Sequence, residues 1–282
     1  ATVASWYALS GLTVGGRAVH EGLSRVAFLL YVAFINLGSM HHLLVDPGIG
    51  TSSRIMNTSY FLYLAVLASM IHAFSIPASV EVAQRERGYD RGLFGWLRHA
   101  PWREPGFSAL VLSFVWFGFV AGVTGVLIGT MQLNMIVHNT LFVAGHFHAT
   151  VVAGTTLAFM GLAYYIVPLI SRRQLVALGL ARWQPYVFSL GLMLLTGGML
   201  IAGRFGVPRR VFDITYQQAP LPNQVFETAP VHLGLAVMGI GAIVSVLGGA
   251  MFVWVMVATL LVGKVSARPV AGLRLAFGPM PA

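Results

Sequence analysis

The sequence has 282 residues, of which 57% are hydrophobic and 9% charged, a balance that excludes a soluble domain and indicates a polytopic membrane protein. The net charge of +9 does not argue for nucleic acid, because the arginines cluster in short segments between apolar runs, as membrane topology requires. The sequence contains no cysteine, so disulfides, thiolate-bound haem, iron–sulfur clusters and c-type haem attachment are excluded, and metal ligation falls to His, Met, Tyr or carboxylates.

The apolar runs are long and do not alternate, so the spanning form is helical. The expected fold class is all-α: a polytopic transmembrane helix bundle of about six spans, forming one domain over 1–282. Residues 2–14 are apolar but too short to cross a bilayer, and they read as the end of a helix that begins upstream. The chain opens without Met and is expected to be the C-terminal portion of a larger subunit. Gly15-Gly16-Arg17 breaks the first helix, and a polar link with His20, Glu21 and Arg25 follows. The first full span is expected over 26–42; it ends in Met40-His41-His42, before the turn signal Asp46-Pro47-Gly48. The second runs over 56–78 and leads into a polar loop, 81–104, rich in arginine. The third spans 107–131. The fourth spans 140–170, long enough to tilt. The fifth spans 185–202, and a longer loop over 204–230 contains Pro208-Arg209-Arg210. The sixth spans 231–262, and a basic tail follows.

Helix count puts the loops at 81–104 and 171–183 on one side, together with the link at 15–25 and the tail. Their arginines and lysine make that side cytoplasmic, in the inner (plasma) membrane. His41 and His42 then end one span at its outer end, and His146 and His148 begin another at the same level. His138 sits just before that span. Arg209 and Arg210 follow the fifth span on the same side, where basic residues need a local reason.

No Asp, Glu, Lys or Arg occurs between Glu104 and Arg172, yet this region contains His138, His146 and His148. An imidazole in hydrocarbon is costly unless its nitrogens find partners, and intramembrane ionisable residues are functional candidates by default. On a helix, His146 and His148 lie about 200° apart. They cannot grip one metal together, but each can hold a separate group on its own side of the helix. Flat cofactors with an open axial position, such as haems, suit that arrangement. The competing reading is a pair of histidines hydrogen-bonded to neighbouring helices. Adjacent His41 and His42 suit copper, for which neutral imidazole is a good ligand where no thiolate is present. Paired arginines at 209 and 210 fit carboxylates, which guanidinium binds bidentately, and haem propionates would supply them. Ser69, His72 and Ser75 recur every three residues and share a helix face. Such a row can pass protons or tie helices together.

Taken together, His41-His42 with Asp46-Pro47-Gly48, Val137-His138-Asn139-Thr140, Gly145-His146-Phe147-His148 and Val207-Pro208-Arg209-Arg210 resemble the large catalytic subunit of haem–copper oxidases. The similarity is greatest to the B family, the ba-type cytochrome c oxidases. Gly92-Leu93-Phe94-Gly95-Trp96 with Pro101-Trp102 looks similar too. The resemblance implies a terminal oxidase that reduces dioxygen to water and moves protons outward, taking electrons from cytochrome c or a similar small donor. It implies that His41 and His42 are two ligands of the active-site copper, that His146 is the proximal ligand of the high-spin haem, and that His148 is an axial ligand of the low-spin haem b. It gives His138, Arg209 and Arg210 to the propionates and places Ser69, His72 and Ser75 on the proton-uptake path. The expected partners are oxidase subunit II, the remaining N-terminal half of subunit I, and membrane lipid. By the same resemblance, the third copper ligand, the active-site tyrosine and the second low-spin haem ligand lie before residue 1. Asn134 stands where the ba-type pattern has an acidic residue near a propionate, and His72 stands in place of a hydroxyl residue. Nitric oxide reductase, which shares the histidine set but uses iron in place of copper, is the alternative within the superfamily. A non-catalytic dihaem electron carrier or a transporter is the alternative outside it.

Overall fold

The structure is a computed structural model that describes residues 1–38, 47–209 and 224–265. His41, His42 and Arg210 lie outside the described residues. Within them the chain is helical, with only isolated bridges between Thr140 and Pro208 and between Arg173 and Val265. In chain order the helices are α1 (Thr2–Val14), α2 (Glu21–Leu37), α3 (Thr51–Glu86), the short α4 (Gly95–Arg98), α5 (Pro105–Gly129), α6 (Met131–Val137), α7 (Leu141–Ser171), α8 (Leu178–Arg204) and α9 (Ala229–Val262).

Five of these, α3, α5, α7, α8 and α9, are long and apolar enough to cross a membrane. They match the expected second to sixth spans with shifted ends. The expected first span is represented by α2, which has 17 residues and starts earlier than 26. His20 sets that start, because its Nδ1 accepts a hydrogen bond from Leu23 N at 2.9 Å and satisfies a donor that a helix start leaves open. α1 stops where Gly15 takes a left-handed conformation (φ 70°), which glycine adopts at no steric cost. Thr140 starts α7 by accepting from Phe142 N at 3.2 Å. Pro105 opens α5, a position where its missing N–H costs nothing.

Three of the long helices contain π-helical stretches: Met56–Tyr60 in α3, Val115–Ala121 in α5 and His148–Thr155 in α7. Such insertions are rare and often mark functional positions. The stretches in α5 and α7 pack against each other. They approach so closely that a Cβ on Gly154 would lie 2.8 Å from Phe117 Cβ.

α7 is central. Its inner half joins Trp6 and Leu9 of α1, Ile76 and Val80 of α3, and Phe107, Leu110 and Phe114 of α5 in one buried cluster through Ala158 and Tyr165. Its middle packs Ala149, Ala153 and Leu157 against Trp116 of α5 and Phe188 and Leu192 of α8. Polar ties cross the same contacts. Trp6 Nε1 donates to Ser113 Oγ at 2.7 Å, and Trp116 Nε1 donates to Ser189 Oγ at 2.7 Å. α8 and α9 lie close through glycines, because a Cβ at Gly191, Gly198, Gly241 or Gly248 would meet the partner's backbone within 2.6 Å. Small residues allow this packing where lipid removes the hydrophobic drive between helices. Leu29, Phe74, Ile170, Leu247 and Leu261 are exposed on the outside of the bundle, as a hydrocarbon solvent requires.

Candidate functional site

The loops gather at two ends, as the expected topology requires. At one end, Gln174 N donates to Lys264 O at 3.0 Å, Arg173 Nη1 to Gly263 O at 2.7 Å and Tyr186 Oη to Trp102 O at 2.9 Å. This is the arginine-rich end. At the other, the turn before α7 pairs with the segment after α8. Leu141 N donates to Val207 O at 2.8 Å, and Arg209 N donates to Asn139 O at 2.9 Å. Arg209 Nη2 reaches Asn139 Oδ1 at 3.2 Å. Asn139 has φ 61°, a left-handed conformation that asparagine tolerates better than most residues. The structure therefore brings Arg209 beside the residue that follows His138.

His138 is held from below. Its Nδ1 lies 2.9 Å from Asn134 Oδ1, and Asn134 Nδ2 donates to Ile128 O at 2.6 Å. Asn134 is buried (1% exposed). With its amide nitrogen spent on Ile128, its oxygen accepts the Nδ1 proton of His138. Asn134 thus orients His138.

His146 and His148 have different partners. His146 faces α5, where its Nδ1 lies 2.9 Å from Thr124 Oγ1. Its ring also sits over Gly125, and a Cβ there would come within 3.1 Å of His146 Cε1. The neighbouring Gly145 faces α8 instead, where a Cβ would meet Leu200 and Met199. His148 opens the π-helical stretch, and its Nδ1 donates to Ala144 O at 2.8 Å. A metal-ligating histidine characteristically donates one ring nitrogen to such an acceptor, which fixes the tautomer and leaves the lone pair on the other. Both histidines show that arrangement at Nδ1, so the donor set fits axial ligation of iron through Nε2. Among the described residues there is no cluster of three or more His, Cys, Asp or Glu. One histidine for each iron does not require one.

His72 is buried (2% exposed) on α3. Its Nδ1 lies 3.2 Å from Tyr7 Oη, which donates to Ser24 Oγ at 3.0 Å. Its Nε2 has no hydrogen-bond partner among the described residues. Ser69 Oγ turns back to Val66 O at 2.8 Å, and Ser75 is partly buried. The structure thus joins His72 sideways to α1 and α2. Nearer the arginine-rich end, a second hydroxyl pair, Ser10 Oγ and Ser79 Oγ, closes the same α1–α3 contact at 2.8 Å. Tyr7, Ser24, Ser10 and Ser79 carry no helical signal of their own and were invisible as partners in the sequence. Glu104, just before α5, likewise has no sequence pattern that sets it apart from the loop charges around it. Burial pushes its carboxyl up to about 7, against a hydrogen bond from Tyr165 and the charge of Arg87.

A helical membrane bundle whose central helix carries two histidines near one end, each anchored through Nδ1, defines a class of polytopic membrane proteins with candidate ligands held inside the bundle. Comparison with known proteins is specific. Residues 1–244 match the family model described as Cytochrome C and Quinol oxidase polypeptide I, and the chain belongs to that family, the subunit I family of haem–copper oxidases. Cytochrome c oxidase subunit 1 of Thermus thermophilus is 36% identical over 211 residues, covering 73% of this chain and 36% of that protein. Quinol oxidase subunit 1 of Bacillus subtilis is 28% identical over 136 residues, covering 47% of this chain and 20% of that protein. A solved structure described as a heme-copper terminal oxidase dimer superposes with a TM-score of 0.81 at 26% identity, covering 93% of this chain and 47% of that chain. The chain thus spans about a third of the Thermus relative and under half of the matched structure. Family and helices together make it a multi-pass membrane protein, which in bacteria is a plasma-membrane protein.

Proposed function

We propose that this chain is the part of a terminal oxidase's catalytic subunit that holds its haems, in the ba-type B family. In this reading the subunit reduces dioxygen to water with electrons from cytochrome c or a similar small donor, and couples this to proton translocation. The observation that carries the reading is the pair on α7: His146 and His148 each have Nδ1 engaged, and only His146 is anchored on α5. His146 would hold the iron of the high-spin haem and His148 that of the low-spin haem b. His41 and His42 would hold copper. When bound, the haem–copper pair would supply the electron transfer that activates dioxygen. His138, oriented by Asn134, would meet a propionate together with Arg209 and Arg210. Tyr7 and His72, with Ser69 and Ser75 on the same helix as His72, would move protons towards the site; each can accept and donate through one group. The subunit would work with oxidase subunit II and with the remainder of subunit I.

Counting metals in the purified complex tests this. Copper with two haems, together with oxygen consumption from a reduced cytochrome c, is the expected result. Two haems without copper, or consumption from quinol alone, would overturn the oxidase or the donor assignment respectively.

A further inference from the structure

Thr124 lies on α5 within a run that contains no charged residue from 105 to 171. It is buried, 7% exposed. Its hydroxyl contacts two carbonyls of its own helix, Val120 O at 2.7 Å and Ala121 O at 3.2 Å, and it contacts His146 Nδ1 at 2.9 Å. A hydroxyl has one proton and two lone pairs. The carbonyls can only accept, so the proton goes to them. With the proton directed to them, a lone pair of Oγ1 faces His146, and in the tautomer that carries its proton on Nδ1 the ring donates to Thr124 Oγ1. A second observation points to the same ring. The next residue is glycine, and a side chain there would press on His146 Cε1 at 3.1 Å. Thr124 and Gly125 together form a bed for the imidazole, one supplying the acceptor and the other the room. The π-helical stretch Val115–Ala121 ends just before them.

We propose that Thr124 is a positioning residue for the high-spin haem: its side-chain oxygen holds the Nδ1 proton of His146 and so presents Nε2 to the iron. The proposal rests on the reading that His146 is that haem's ligand. An acceptor on the far nitrogen raises the basicity of a ligating imidazole. Removing the acceptor weakens the iron–histidine bond and makes reduction of the iron easier. Replacing it with a carboxylate does the opposite.

The test uses the intact oxidase complex. Resonance Raman spectra of the reduced high-spin haem give the iron–histidine stretching frequency, and a redox titration gives the midpoint potential. In Thr124→Val, which keeps the shape and loses the oxygen, the frequency should fall, the potential should rise and turnover should drop roughly 10-fold or more. In Thr124→Asp the frequency should rise and the potential should fall. Thr124→Ser should stay near wild type. A residue that only packs would give shifts of one sign or none, and equal frequencies in the three variants would overturn the proposal. If Thr124→Val fails to assemble, the sign of the shift in Thr124→Asp against wild type still decides. His146→Ala separates the two levels of the reading. If it keeps the high-spin haem, the ligand assignment fails. If it loses that haem while the Thr124 variants match wild type, only the role of Thr124 fails.

Discussion

Gly203, near the end of α8, is the position at which the bundle leaves least room beside the candidate haem ligands. A Cβ built there would lie 1.9 Å from Phe142 N and 2.6 Å from Leu141 C and Phe142 Cα, all backbone of the first turn of α7. Carbon contacts settle near 3.5–4.0 Å, so Gly203→Ala requires the two helices to part by about 1.5 Å. Overpacking of this kind costs roughly 1–3 kcal/mol, and no flexible side chain is at hand to absorb it. His146 lies one helical turn beyond the clash and would move with α7. A displacement of about 1 Å in a catalytic constellation can cost on the order of 100-fold in rate. Gly197, on the same helix, provides the control, since a Cβ there meets nothing within 4 Å. Gly197→Ala should be neutral or slightly stabilising, because alanine is the better helix former by about 1 kcal/mol. The assay is turnover and the optical spectrum of both variants in the purified complex. Gly203→Ala should lose most activity and perturb the haem bands, and Gly197→Ala should do neither. If the two variants behave alike, the close approach of α8 to the start of α7 is not what positions the histidines.

Other outcomes follow from the same geometry. His72→Leu should slow turnover strongly while both haem spectra remain, Tyr7→Phe should slow it too, and a hydroxyl in His72→Thr should recover much of the rate; unchanged turnover with lowered thermal stability would make His72 a helix tie. Glu104 has its carboxyl raised from 4.5 to about 7, by burial first, so the folded protein binds a proton that the unfolded chain gives up. Its favourable contribution is complete below about pH 4.5 and is lost as the pH rises through about 7, roughly 3 kcal/mol at most at about 1.4 kcal/mol per pH unit. Thermal unfolding of the complex between pH 5 and 8 should therefore flatten in Glu104→Gln, and parallel profiles for variant and wild type would refute that assignment.

The spans were legible because each long apolar run is bounded by arginines, prolines or glycines, and hydrocarbon burial leaves few other uses for such runs. The ends were less so. α3 begins at Thr51, not near 56, because an α-helical turn over Thr51–Ile55 runs directly into the π-helical stretch Met56–Tyr60. The opposed directions of His146 and His148 follow from helical spacing alone. Their anchors do not. Thr124 sits 22 residues from His146 on another helix, and its hydroxyl has no periodic signature. Tyr7 likewise meets His72 across 65 residues. Glu104 reads as a loop charge until its burial at the start of α5 is seen to raise its carboxyl. The sequence pattern thus locates chemistry-bearing residues where hydrocarbon makes them conspicuous. It is silent where the partner is a single hydroxyl on a neighbouring helix.

The measurement that bears most directly on the account is the optical spectrum of the intact complex in its oxidised and reduced forms, taken for His146→Ala and for His148→Ala. If α7 holds a haem on each side, His146→Ala loses the high-spin bands and keeps the low-spin ones, and His148→Ala does the reverse. Loss of the same bands in both variants would contradict the two-sided arrangement.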